Sequence, residues 1–193
     1  MKRHHACLVT VITLAALAAG CTIAEQERKY RLFFTQTGRA LVPGFRLPNE
    51  SEYGPLWAFV EGQGWQTRDG SGETKAEFWT SGDFNGDAMI DYAFILVEEA
   101  ADARTLFAFL STPAGYEAER LDSGFPWGIW LRTRAPGRYE TAAARGAGPD
   151  SPLNILEFEA ADQAIDFFGS EGAASSFVWN ETTQSFDRFW TSD

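Results

Sequence analysis

The chain has 193 residues, with 27 acidic side chains against 16 basic ones and a formal net charge of −11. That balance argues against a nucleic-acid-binding protein, because phosphate contacts need the opposite sign. Seven Trp and sixteen Phe supply apolar surface for one well-buried domain, and the length is short for two.

The predicted elements begin with residues 1–21. Lys2 and Arg3 precede an apolar run from Ala6 to Ala19, closed by Gly20 and Cys21. A basic start, an apolar centre and small residues ahead of a cysteine read as an export signal. The run of about 15 residues is shorter than the roughly 20 that cross a bilayer, so it is not read as a membrane-spanning anchor. Leu17-Ala18-Ala19-Gly20-Cys21 resembles the lipobox of bacterial lipoproteins. The resemblance implies cleavage before Cys21 and lipid on its thiol and new amino group, and two or three acyl chains hold a protein on a bilayer durably. Thr22 follows the cysteine where Asp would signal retention. By analogy with Gram-negative sorting, this implies the inner leaflet of the outer membrane, with the domain facing the periplasm. A secretory signal without lipidation is the rival reading.

Beyond Cys21, 14 basic residues face 27 acidic ones, because Lys2 and Arg3 leave with the signal. The charge is spread along the chain, as on a soluble globular surface. It disfavours contact between the protein face and an acidic membrane, and leaves a basic partner or a cation as the electrostatic option. Cys7 and Cys21 are the only cysteines, and His4 and His5 the only histidines. Beyond Cys21 there is therefore no disulfide, no Ser-His-Asp triad, no Cys-His pair and no His-ligated zinc site. An enzyme would have to run on carboxylates, Tyr, Ser or the two remaining lysines, Lys29 and Lys75.

Residues 22–29 read as a polar tether and residues 30–193 as the globular domain. Tyr30 to Phe34 is expected as a first strand. Pro43, Gly44, Pro48 and Gly54 interrupt the following stretch, Tyr53 to Val60 fits a short helix, and Asp69 to Gly72 is a turn. Ala76 to Trp79 leads into an acidic loop, Tyr92 to Val97 leaves it as an apolar strand, and Thr105 to Leu110 returns as a hairpin. Tyr116 to Leu121, Trp127 to Arg134 and Leu153 to Glu159 read as further strands, with a turn at Arg134 to Gly137 and a loop from Ala142 to Pro152. Ser176 to Trp179 and Ser185 to Trp190 flank Asn180 to Gln184 as a terminal hairpin. Phe-Trp-Thr-Ser occurs at both 78–81 and 189–192, too short an echo to make a repeat. The expected fold class is a single α+β domain, mostly antiparallel β-sheet with hairpins and few short helices.

The acidic loop carries the chemistry. Asp83, Asn85, Asp87 and Asp91 stand at positions 1, 3, 5 and 9 of a calcium-loop spacing, and Met89 offers its backbone carbonyl at position 7. The stretch from Gly82 to Tyr92 resembles the loops of FG-GAP and VCBS-type repeats, in which such a loop joins two strands. The resemblance covers about a dozen residues, and one loop does not imply a propeller, which needs the unit repeated. Ala88 replaces the usual glycine at position 6, and Phe94 stands where an EF-hand has its bidentate Glu. Both imply a weak Ca2+ site, about millimolar, that pins the loop rather than catalyses. A loop held by Asx-turns alone, with no ion, is the other reading.

Pro136 to Thr141, Phe177-Val178-Trp179 and Trp190 to Asp193 resemble a group of small exported bacterial proteins of uncharacterised function, which pair one acidic loop with a C-terminal hairpin. Glu157 and Glu159 share a strand face, as an acid–base pair would in a glycosidase, or more simply as a solvated face. Trp127, Trp130, Trp179 and Trp190 serve a core or line a sugar- or partner-binding surface. The functional expectation is a non-catalytic, periplasm-facing binding module, of inhibitor or immunity type, meeting the membrane through Cys21 and a basic protein partner. A carboxylate- or metal-dependent hydrolase of envelope polymers and a structural envelope component are the alternatives.

Overall fold

The computed structural model describes residues 28–49, 52, 78–125, 129–146, 155–169 and 174–192. Cys21 with the signal region, the 53–60 segment, the 69–72 turn and Trp127 lie outside the described residues.

The first element corrects the expected strand at Tyr30 to Phe34. Residues 28–41 form helix α1, with a π-type turn across Phe34–Gly38. Its buried positions are Tyr30, Phe34 and Gly38, four apart, which is helical spacing. Consecutive aromatics suggested a strand, and the later sheet overrode that by offering one apolar face to cover. A Cβ on Gly38 would stand 3.4 Å from the Phe109 ring and 2.8 Å from the Phe34 ring, so glycine lets the helix lie close to the sheet. The tether expected over residues 22–29 likewise ends early, because Arg28 and Lys29 already belong to α1.

The remaining described elements are one 3-10 turn at Ala143–Arg145 and eleven strands in antiparallel sheets, so the protein is β-rich more than an even α+β mixture. They are β1 (Phe45–Arg46), β2 (Trp79–Gly82), β3 (Asp91–Glu98), β4 (Arg104–Thr112), β5 (Gly115–Phe125), β6 (Ile129–Arg134), β7 (Gly137–Glu140), β8 (Glu157–Ala160), β9 (Ala164–Gly169), β10 (Ala174–Asn180) and β11 (Ser185–Ser192). The expected hairpin after the acidic loop is β3–β4, and the terminal hairpin is β10–β11 with Trp179 opposite Phe186. The first sheet runs β1-β3-β4-β5, with β2 beside β1 on the same edge of β3. The second runs β11-β10-β9-β6, and β7–β8 form a separate hairpin.

Strand alternation sorts these into layers. Tyr92, Phe94, Phe107 and Phe109 turn to α1, where Phe33 stacks on Tyr92 at 4.1 Å and meets Phe109 edge-on at 5.7 Å. The opposite row, Ala93, Ile95, Leu106 and Ala108, joins Leu131, Ile165, Phe167 and Phe177 of the second sheet in one buried core. β3 and β4 are thus buried on both faces, which explains their nearly continuous apolar sequence. On the outer face of the second sheet, Ala164 and Val178 pack with Phe158 and Ala160 of the β7–β8 hairpin, and Phe158 stacks on Phe189 at 4.6 Å.

Polar contacts join the two sheets at both sides. The Thr133 hydroxyl donates to the Ser81 carbonyl at 2.7 Å, so the Thr80 hydroxyl, 2.6 Å away, must donate to Thr133. At the far side Arg188 of β11 pairs with Asp122 of β5, and the Phe186 N–H reaches Glu119 at 3.5 Å.

Candidate functional site

The acidic loop leaves β2 at Gly82 and returns into β3 at Asp91, at the corner where the two sheets meet. Phe84, fully buried, plugs it into the core. Asp83 organises the turn: Oδ1 accepts from the Gly86 N–H and Oδ2 from the Ala88 N–H, both at 2.9 Å. Asn85 Oδ1 accepts from the Asp87 N–H at 3.2 Å, and Asp87 Oδ1 from the Met89 N–H at 2.8 Å. Asp83, Asn85 and Asp87 therefore gather on one curled backbone, as their alternate spacing predicts. Ala88 has φ 63°, so the position that favours glycine is left-handed here as well.

Asp91 departs from its expected role at the mouth of the loop. It is fully buried, and both oxygens are committed to the protein: Oδ2 to the Phe84 N–H at 2.8 Å, Oδ1 to Ser111. Burial pushes its carboxyl above the usual range, while the hydrogen bonds from Ser111 and Phe84 act the other way. Its geometry is that of a clamp between the loop and β4. Met89 and Ile90 are exposed at the tip, and the Tyr116 hydroxyl donates to the Ile90 carbonyl at 3.2 Å.

Two residues that sequence reasoning missed complete the site from 80 positions away. Gln163 Oε1 accepts from the Asp83 N–H at 2.8 Å, and the Gln163 N–H donates back to the Asp83 carbonyl at 3.2 Å. Asp162 lies against Gly86 (φ 76°), where a Cβ would stand 2.6 Å from its Oδ2. Burial, then the charges of Asp83 and Glu181, raises the Asp162 carboxyl above its ordinary value. No local signal marks either residue, because the β8–β9 turn reaches the loop only through sheet packing.

Each carboxylate oxygen has two acceptor directions, and one N–H uses only one, so Asp83, Asn85 and Asp87 fit a hard cation chemically. In the observed arrangement their oxygens face N–H donors, and among the described residues no three acidic side chains converge as a metal cage.

The other candidates sit apart. Glu157 and Glu159 lie on the exposed face of β8, Glu157 paired with Arg138, so the structure puts that pair on a solvated hairpin face. Trp179 packs edge-on against Phe186 at 5.3 Å, Trp190 lies under the Arg188 guanidinium at 4.2 Å, and Trp130 stacks on Phe168 at 5.6 Å. All three are half-buried. No described helix is long and apolar enough to cross a membrane. Compared with known proteins, the chain matches no family model, no curated protein and no solved structure.

Proposed function

We propose that this is an envelope lipoprotein, held in the outer membrane by lipid on Cys21, which faces the periplasm and acts by binding a partner. The chain from α1 onward, residues 28–193, is read as its single β-rich domain with few helices. The carrying observation is the acidic end of the sandwich, where Asp162 packs against Gly86 of the loop that carries Asp83 and Asp87. Such an end attracts a basic protein segment and repels nucleic acid. The buried carboxylates support binding over catalysis, because Asp91 and Asp166 are each spent on several internal hydrogen bonds. Asp83, Asn85, Asp87 and the Met89 carbonyl are read as a weak structural Ca2+ loop that stiffens this end, with Asp91, the fourth carboxylate or amide of the spacing, holding the loop to β4 from beneath.

Affinity capture from envelope extract tests the reading. The wild-type protein is expected to retain one basic protein in stoichiometric amount. Asp83→Asn combined with Asp162→Asn is expected to lose it with the fold intact. Retention of the same partner by the double variant, or of none by the wild type, sinks the proposal.

A further inference from the structure

Helix α1 has a charge unlike the rest of the chain. Residues 28–41 contain Arg28, Lys29, Arg31 and Arg39 and no acidic residue, in a chain of net charge −11. Tyr30, Phe34 and Gly38 fix the inner face of the helix on the first sheet. The outward stripe follows from that: Arg28, Leu32, Gln36 and Arg39, all exposed at helical spacing. Leu32, at the centre of this stripe, is 51% exposed and one of the few large apolar side chains on the described surface. Arg39 stands 3.6 Å from Glu99, but with side chains 67% and 46% exposed this is a solvated pair that another anion can replace. A large apolar side chain set between basic ones on one exposed helix face is the pattern of a helix lying against a membrane interface.

Position in the chain strengthens the argument. From Cys21 to Arg28 there are seven Cα–Cα steps, which reach at most about 25 Å by any path. Lipid on Cys21 therefore keeps the start of α1 within about 25 Å of the bilayer. Glu25 and Glu27 reduce the local charge, yet residues 22–41 still sum to +2. Charges more than about 8 Å from the headgroups are screened at physiological salt, so the acidic remainder of the chain does not forbid a contact made by α1 alone.

We propose that the outer face of α1 docks on anionic phospholipid headgroups, with Leu32 at headgroup level, and so sets the orientation of the domain on the membrane. The proposal rests on the reading of Cys21 as the lipidated residue. It reverses, for this one face, the expectation from overall charge that the protein surface avoids an acidic membrane.

The lipidated protein itself serves for the test. With Cys21 capped by lipid, Leu32→Cys supplies a single reactive thiol for a fluorophore, and Thr182→Cys a control at the exposed β10–β11 turn. Reconstituted in vesicles containing phosphatidylglycerol, the Leu32 label is expected to be quenched by a headgroup-attached quencher at least about threefold more than the Thr182 label. The difference is expected to vanish in phosphatidylcholine vesicles and in the Arg28→Glu, Arg39→Glu background. Protein that floats with the vesicles while its Leu32 label stays unquenched, or is quenched alike in both lipids, overturns the docking alone. Protein that neither floats nor takes up labelled palmitate overturns the anchor reading and the docking with it.

Discussion

Ser111 donates both its backbone N–H and its hydroxyl to Oδ1 of Asp91, at 2.7 and 2.8 Å, across 20 residues of sequence. The other oxygen of Asp91 takes the Phe84 N–H, so one buried carboxylate ties the start of the loop, the start of β3 and the end of β4. The loop is thereby fixed from beneath by the sheet.

That clamp needs acceptors on both oxygens. Asp91→Asn turns an amide N–H2 towards a backbone N–H or a hydroxyl, leaving a buried donor unmatched, and is expected to cost about 1–3 kcal/mol. Ser111→Ala keeps the backbone bond and is expected to cost about 1 kcal/mol. Urea unfolding of the two variants measures both, and an Asp91→Asn midpoint equal to that of the wild type rules out the clamp.

Gly86 and Ala88 both lie in the left-handed region, with φ 76° and 63°. Gly86→Ala adds a Cβ 2.6 Å from Asp162 Oδ2, and the combined strain and crowding are expected to cost about 2 kcal/mol. Ala88→Gly removes strain of about 1 kcal/mol and regains part of it as unfolded-chain entropy, for a net gain of about 0.5 kcal/mol. Opposite shifts in melting temperature are expected, and shifts of the same sign would rule out strain at a left-handed Ala88.

Asp166, almost fully buried on the outer face of the second sheet, carries two arginines in different surroundings. Arg134 Nε is 2.5 Å away with its side chain 16% exposed, whereas Arg132 Nη2 is 2.9 Å away with its side chain 63% exposed. The Arg134 guanidinium also covers the Tyr139 ring at 4.3 Å, linking the β7–β8 hairpin. Arg134→Ala is expected to cost about 3 kcal/mol by leaving the buried carboxylate short of a partner, and Arg132→Ala below about 1 kcal/mol. Equal losses in chemical denaturation would contradict this assignment.

Acid sensitivity follows from Glu52. The bidentate hydrogen bonds from Arg46, at 2.7 and 2.8 Å, hold its carboxyl at about 2, down from the ordinary 4.5. The unfolded chain then binds the proton more tightly, so the stabilisation is full above about pH 4.5 and is lost as pH falls towards about 2. Arg46 is a third exposed, and solvent screening limits the contribution to about 1–2 kcal/mol. Between about pH 6 and about pH 3 the wild type is expected to lose most of that margin over Glu52→Gln. Parallel pH–stability curves for the two proteins would remove the pair from the account.

Calcium tests the loop directly. With a dissociation constant of about 1 mM, about 10 mM calcium adds about 1.4 kcal/mol. For a domain of this size that raises the melting temperature by about 4 °C. Magnesium is expected to do less, and Asp83→Ala with Asp87→Ala to abolish the shift. An unchanged midpoint in calcium leaves the loop held by its Asx-turns alone.

Local chemistry was legible in the residues themselves. The short apolar runs of β3 and β4, the turn residues around 180–184 and the Asp83-Asn85-Asp87 spacing each act within a few positions, so the hairpins and the curled loop could be read directly. The start at Tyr30 could not, because aromatics in a row suit a strand or a helix equally until a sheet face exists to cover. Asp91 carries the same spacing signal as its neighbours, yet its fate was decided by Ser111, which β4 brings beneath it. Asp162 and Gln163 join the site only because β9 lies between β6 and β10, a pairing set by long-range burial. The sequence alone determined which residues prefer turns, strands and charge. The tertiary structure decided which carboxylates face solvent and which are spent holding the fold, because desolvation and donor supply depend on what packs against them.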